Sequence, residues 1–188
     1  MSMHPGLLDA IRAETDSDEP RLILADWLED HDEPERAEFI RLQCVLARLP
    51  AHHDLRPELE ARERGLLLLH EAEWTGLPTN RNVGGSLRRG FLDTLAIPAR
   101  LLLRAPDVFL GSGTVRRLTL EIADFADLRG LAALPQLRSV RVLHLTGTRL
   151  HRAGVAALAE SPHLRQLTGL HLRFDNVARG ALLFCRNH

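Results

Sequence analysis

Leu118-Thr119-Leu120, Leu143-His144-Leu145 and Leu170-His171-Leu172 spell one short strand three times, at intervals of 25 and 27 residues. A period in this range marks a stack of supersecondary units, each burying its apolar face only against its neighbours. Leu95-Ala96-Ile97, 23 residues before the first triplet, reads as a degenerate earlier copy. Helix-like stretches lie between the strands at 99–103, 126–134 and 152–160. Their ends repeat too: Leu131, Pro135 and Leu137 return as Leu158, Pro162 and Leu164, each 27 residues later. The expected architecture is α/β, with a short solenoid of about three to four repeats and a parallel sheet. Solenoids present broad surfaces to partners, so the pattern points to recognition.

Successive side chains in a strand face opposite ways. The leucines at 118, 120, 143, 145, 170 and 172 are therefore expected to point towards the helices. Thr94 and Ala96 then share the other face with Arg117, Thr119 and Glu121, with Val142, His144 and Thr146, and with Gly169, His171 and Arg173. Parallel neighbours lie about 4.8 Å apart, which sets His144 beside His171. The expected binding surface is this concave face, formed by Arg117, Thr119, Glu121, His144, Thr146, His171 and Arg173. Adjacent imidazoles could share a metal or make binding pH-dependent. Two ligands do not complete a zinc site, and no Cys or carboxylate completes this one. Solvated histidines on a binding face, with no metal and no cofactor, are expected.

The chain ahead of the repeats reads as helices. Leu7, Leu8 and Ile11 have helical spacing within 5–14. Asp16 or Ser17 can cap a second helix, with Pro20 in its first turn. Pro34 suits the start of a third, whose apolar stripe includes Phe39, Ile40, Leu42, Val45, Leu46 and Leu49. Pro57 opens a fourth, which ends before Gly76-Leu77-Pro78. Residues 79–90 hold Asn80, Asn82, Gly84, Gly85 and Gly90, which favour turns over regular structure. The expected organisation is a helical subdomain at 1–78, a linker or turn at 79–90 and a repeat arc at 91–188. The helices would cap the first strand.

Composition narrows the function. The 188 residues are 45% hydrophobic and 4% aromatic, so Leu and Ala supply most of the packing. All 24 basic residues are Arg, and the net charge is −1, without the basic excess of a nucleic-acid or anionic-membrane binder. Residues 1–20 are polar and acidic, unlike a signal peptide. No apolar run approaches a membrane span. Cys44 sits in an apolar helical stretch, far from Cys185, so a reduced cytoplasmic setting is expected.

Leu143-x-Leu145-x-x-Thr148-x-Leu150, followed by Gly154-x-x-x-Leu158 and Pro162-x-Leu164, resembles the leucine-rich repeat. The match departs from the family where an Asn normally bonds the turn backbone, the residues here being Ala123, Thr148 and Asp175. Ala123 cannot make that bond, which predicts a looser first turn. Two stretches, 7–11 and 18–30, with Pro34-Glu35-Arg36-Ala37-Glu38-Phe39-Ile40-Arg41-Leu42-Gln43, are similar to the bacterial repeat-companion domain over about residues 4–48. That resemblance implies helices ahead of leucine-rich repeats and no catalytic activity.

Arg21, Asp26, Trp27, Glu38, Arg41 and Gln43 are the polar and aromatic signature of that region. Trp27, Arg21 and Arg41 could dock a partner. Alternatively, Trp27 is core, and Arg21, Asp26, Glu38 and Arg41 form ion pairs between helices. His52-His53-Asp54 and His70-Glu71 invite a hydrolase reading, but the zinc-protease spacing is absent, with Trp74 where a second His would stand. No phosphate loop, nucleophile elbow or paired-Cys motif is present. Arg116, Arg117, Arg138, Arg141, Arg149, Arg152, Arg165 and Arg173 make the repeats locally basic, and a stripe of this kind could bind phosphates. Only Arg117 and Arg173 fall on the expected face, so the rest read as solvated surface. Ala181-Leu182-Leu183-Phe184-Cys185 is expected to fold back as a cap, to pair with a second copy, or to mark a shortened array.

The expected function is non-enzymatic protein binding on the concave face, by a monomer or an edge-paired oligomer, with no nucleic acid and no membrane as partner. Two alternatives are a two-sided adaptor whose helical half docks a second protein, and a metal-dependent hydrolase.

Overall fold

The computed structural model describes residues 4–78, 81–147 and 152–174. Within them the chain is α/β, with eight helices and one open, mostly parallel five-stranded sheet. The first four helices are α1 (Pro5–Ala13), α2 (Glu19–Glu29), α3 (Pro34–Arg48) and α4 (Arg56–Thr75). Each carries a proline at its first or second position, where the missing N–H leaves no intrahelical bond unmade. Ile11, Leu24, Leu28, Ile40 and Cys44 form one buried cluster with Phe91. A second joins Phe39, Leu42, Leu46 and Leu66.

The sheet is β1 (Gly84–Arg88), β2 (Phe91–Pro98), β3 (Arg117–Ile122), β4 (Val142–Gly147) and β5 (Gly169–Phe174), in that order. β1 runs antiparallel to β2, and each later strand runs parallel to the one before. The connections hold α5 (Ala99–Arg104), α6 (Pro106–Leu110), α7 (Phe125–Ala132), a 3-10 turn (Pro135–Ser139) and α8 (Arg152–Ala159). The expected leucine rows are in register: Leu95, Leu118, Leu143 and Leu170 align, as do Ile97, Leu120, Leu145 and Leu172. Those of β2, β3 and β4 are buried with Leu102, Leu128, Leu131 and Leu158 from the helices. Each fully buried leucine contributes about 1.5–3 kcal/mol relative to exposure.

Three expectations need correction. Leu170 and Leu172 are 40% and 37% exposed, on β5, whose main contacts among the described residues are with β4. The stretch expected as turn contains β1. Its glycines pair with β2 through the backbone, and Leu87 packs against both the helical and the sheet cores. The turn after β3 is closed despite Ala123. The buried Asp127 carboxylate accepts the N–H groups of Ala123 and Asp124 at 2.8 and 3.2 Å, and Asp124 accepts the Asp127 N–H at 3.1 Å. This capping box provides the bonds that the missing Asn side chain would make. Thr148, Asp175 and 181–185 lie outside the described residues.

The β1–β2 hairpin joins the helices to the sheet. Its two-residue turn, Arg89 and Gly90, has φ of 50° and 86°, the left-handed pair that suits the twist of an antiparallel hairpin. Gln43 of α3 straddles the turn, donating to the Leu87 carbonyl at 3.2 Å and accepting from the Gly90 N–H at 2.7 Å. Arg36 donates to the Gly90 carbonyl, and its guanidinium lies 4.9, 5.7 and 5.9 Å from the rings of Trp74, Phe39 and Phe91. Burial lowers Arg36 to about 10, so it remains a cation at neutral pH. Asp18, with a side chain only 1% exposed, meets Arg89 at 2.9 Å and Arg48 at 2.5 Å. At the opposite side, Arg12 donates to the Ser112 and Gly111 carbonyls at 2.7 and 3.0 Å.

Candidate functional site: the exposed face of the sheet

Strand alternation places the seven residues expected to bind on the side of the sheet opposite the leucines. Register arranges them in three rows. Arg117 aligns with Val142, Thr119 with His144 and His171, and Glu121 with Thr146 and Arg173. Arg117, Glu121, His171 and Arg173 are exposed, and Thr119, His144 and Thr146 are half-buried. Arg117 is held rather than free: it donates to Asp93 at 2.6 Å and to the Thr94 hydroxyl at 3.1 Å. Thr146 donates to the Leu120 carbonyl at 3.3 Å.

His144 and His171 meet as expected. Their rings are 4.3 Å apart and only 7° from parallel. Partial burial lowers the His144 pKa below its ordinary value, and the His171 charge acts in the same direction. Uncharged, the stacked pair covers its inner faces and presents ring edges with their nitrogens. Two protons on the pair would place like charges face to face. Among the described residues, no group of three or more His, Cys, Asp or Glu side chains is placed to hold a metal ion.

The helical candidates separate. Arg21 is buried and donates to the carbonyls of Ser17, Thr15 and Glu14 at 2.5, 2.8 and 3.3 Å, so its expected interhelical carboxylate pair gives way to backbone bonds. Arg41 meets Asp26 and Glu29 at 2.6 Å each, and Glu38 pairs with Arg62 at 2.6 Å. Trp27 is half-buried, with His31 stacked on it at 3.9 Å. Among the described residues, His70 stacks on Trp74 at 4.7 Å, while the His53 ring accepts the Leu55 N–H at 3.2 Å. No helix among the described residues is long and apolar enough to cross a membrane.

The sequence reading missed a cavity of about 230 Å³ between the helical half and the starting ends of β2, β3 and β4. It joins the exposed face through Arg117 and Val142, and six of its lining residues are arginines. The Arg88-Arg89 and Arg116-Arg117 doublets were its only sequence signal. No family model, curated protein or solved structure matches the chain.

Proposed function

We propose that the chain is a non-catalytic protein-recognition module: a short leucine-rich-repeat solenoid, capped by its N-terminal helices, that binds a partner protein on the exposed face of its sheet. The supporting observation is the in-register surface of Thr119, His144, His171, Glu121, Thr146 and Arg173, which lies opposite the buried leucine rows. Imidazole edges flanked by both signs of charge suit a polar protein surface better than an apolar small molecule. Arg41 is already ion-paired and Arg21 is bound to carbonyls within the helical half, so the proposed contact surface stays on the sheet. A reducing, cytoplasmic setting belongs to the same reading, with Cys44 a buried free thiol.

Affinity capture from the native lysate tests the proposal with wild type, a His144→Ala/His171→Ala/Arg173→Ala variant and an Arg129→Ala control on α7. A partner retained by wild type and control but lost by the triple variant is the expected result. Equal retention by all three would reject this face.

A further inference from the structure

The cavity at the head of the sheet gathers Arg21, Arg88, Arg89, Arg116, Arg117 and Arg141. Only two aspartates, Asp16 and Asp93, line it with them. Four separate stretches of backbone bring the cations together. Arg88 and Arg89 come from the hairpin, Arg21 from α2, and the rest from the repeats.

The repeats stack Arg116 on Arg141. The Asp93 carbonyl accepts the Arg116 N–H at 2.8 Å, and the Arg116 carbonyl accepts the Arg141 N–H at 2.8 Å. These residues therefore hold equivalent positions on adjacent strands, about 4.8 Å apart. Asp93 holds its place because β2 has one residue too many opposite β1 at this point. Ser86 pairs with Thr94 and Leu87 with Leu92, leaving Asp93 as the bulge. Bulges re-aim side chains, and this one aims a carboxylate at Arg117.

The arginines are unequally neutralised. Arg89 is matched by Asp18, and Arg117 by Asp93. Arg116 and Arg141 each donate through a single terminal nitrogen to a loop carbonyl, Ser139 at 2.7 Å and Gln166 at 3.4 Å. Among the described residues, no carboxylate pairs with Arg88, Arg116 or Arg141. Burial lowers the Arg116 pKa, and the Arg141 charge adds to that effect. The neighbouring cations thus repel one another, with Arg116 half-buried and Arg141 exposed, and a dianion would relieve both charges at once.

We propose that this cavity is a binding site for a phosphate monoester, with Arg116, Arg141 and Arg88 as its principal ligands. A phosphate dianion carries the charge to match two guanidinium groups and enough oxygens to accept from three, whereas a carboxylate does neither. The volume exceeds that of a phosphate alone, leaving room for the group that carries it. The site lies beside the proposed partner-binding face and does not depend on it.

Calorimetric titration of the full chain at constant ionic strength tests the proposal, using inorganic phosphate, an O-phosphoserine peptide and succinate as probes. Constant ionic strength removes general screening from the comparison. Binding of phosphate or of the phosphopeptide, with succinate at least about tenfold weaker, is expected because succinate matches the charge but splits it between two separated carboxylates, whereas phosphate concentrates it on one tetrahedral group. Comparable binding of both phosphate probes assigns recognition to the dianion itself, while stronger peptide binding assigns it to a phosphorylated side chain. Arg116→Gln/Arg141→Gln should weaken binding by about a hundredfold, roughly tenfold for each charge-assisted contact. Arg88→Gln, at an exposed position, should weaken it about tenfold without loss of fold. Arg129→Gln on α7 should bind as wild type. No binding by either phosphate probe, succinate binding equal to phosphate, or wild-type affinity in Arg88→Gln would overturn the assignment.

Discussion

Gly90→Ala probes the joint between helices and sheet at its tightest point. A Cβ on Gly90 would stand 2.4 Å from Cγ1 of Ile40 and 3.2 Å from its Cβ. Ile40 is fully buried on α3, so it has little room to withdraw. The backbone is also left-handed here, at φ 86°. Holding alanine in that region costs about 1–2 kcal/mol. Forcing a methyl group into a filled core costs a further 1–3 kcal/mol or so. The sum is about 2–5 kcal/mol, which lowers Tm by roughly 4–20 °C for a chain of this length. Gly65→Ala is the matched control. It lies inside α4, where an added Cβ meets nothing within 4 Å, so it should gain about 0.5–1 kcal/mol. Urea and thermal unfolding followed by circular dichroism measure both. A Gly90→Ala protein with native spectrum and unchanged stability would refute the tight contact between hairpin and α3.

Three further outcomes follow from the same geometry. Burial, assisted by the Asp18 carboxylate, pushes the Cys44 thiol up to about 11. In a Cys185→Ser background Cys44 should resist a thiol reagent at pH 8 until the helical half opens, and rapid labelling of the native protein would contradict its buried setting. For His144, the folded-state pKa lies below the ordinary 6.5 because of partial burial and then His171. Above pH 6.5 both states are neutral there and the shift has no effect on stability; as pH falls through that value the unfolded chain takes the proton first, and stability declines. An NMR titration of the imidazole C–H signals should show His144 rising towards 6.5 in His171→Ala, and no movement would exclude the coupling. Asp18→Ala removes the carboxylate between Arg89 and Arg48 and should cost about 1–3 kcal/mol, below the full penalty of a broken buried pair because Arg48 is largely exposed and Arg89 keeps Asp16 at 3.6 Å. A loss below about 1 kcal/mol in urea unfolding would mean that water already compensates these charges.

The repeat strands were legible because two signals coincide in them: alternation sets the face, and recurrence sets the neighbour. That is why His144 and His171 could be paired without coordinates. Leu170 and Leu172 obey the same alternation yet are partly exposed, because alternation sets a face and not how closely it is covered. β1 escaped because Gly84, Gly85 and Ser86 have weak strand preference, and the partner β2 determines their conformation. Asp127 escaped for a related reason. The turn bond moved from the expected side chain to one four residues later, which preserves the hydrogen bonding and not the motif. The arginine cavity was least legible. Arg21, Arg88 and Arg141 are remote in sequence, and only the hairpin and the strand register bring them together.

Arg88 and Arg89 show how the hairpin divides structural and surface roles between neighbouring residues. Arg89 occupies a left-handed conformation that costs a side-chain-bearing residue about 1–2 kcal/mol. Its pairing with the enclosed Asp18 offsets that cost and fixes the turn against α2. The turn also presents the Gly90 amide and carbonyl to Gln43 and Arg36 in the helical half. Arg88, one residue earlier and exposed, is carried into the cavity by this arrangement without taking part in it. The bulge at Asp93 does the corresponding work on the other strand: its carbonyl sets the height of Arg116 and its carboxylate holds Arg117. Arg116 and Arg141 therefore reach the cavity already held at loop carbonyls, which lessens the reorganisation needed to bind an anion.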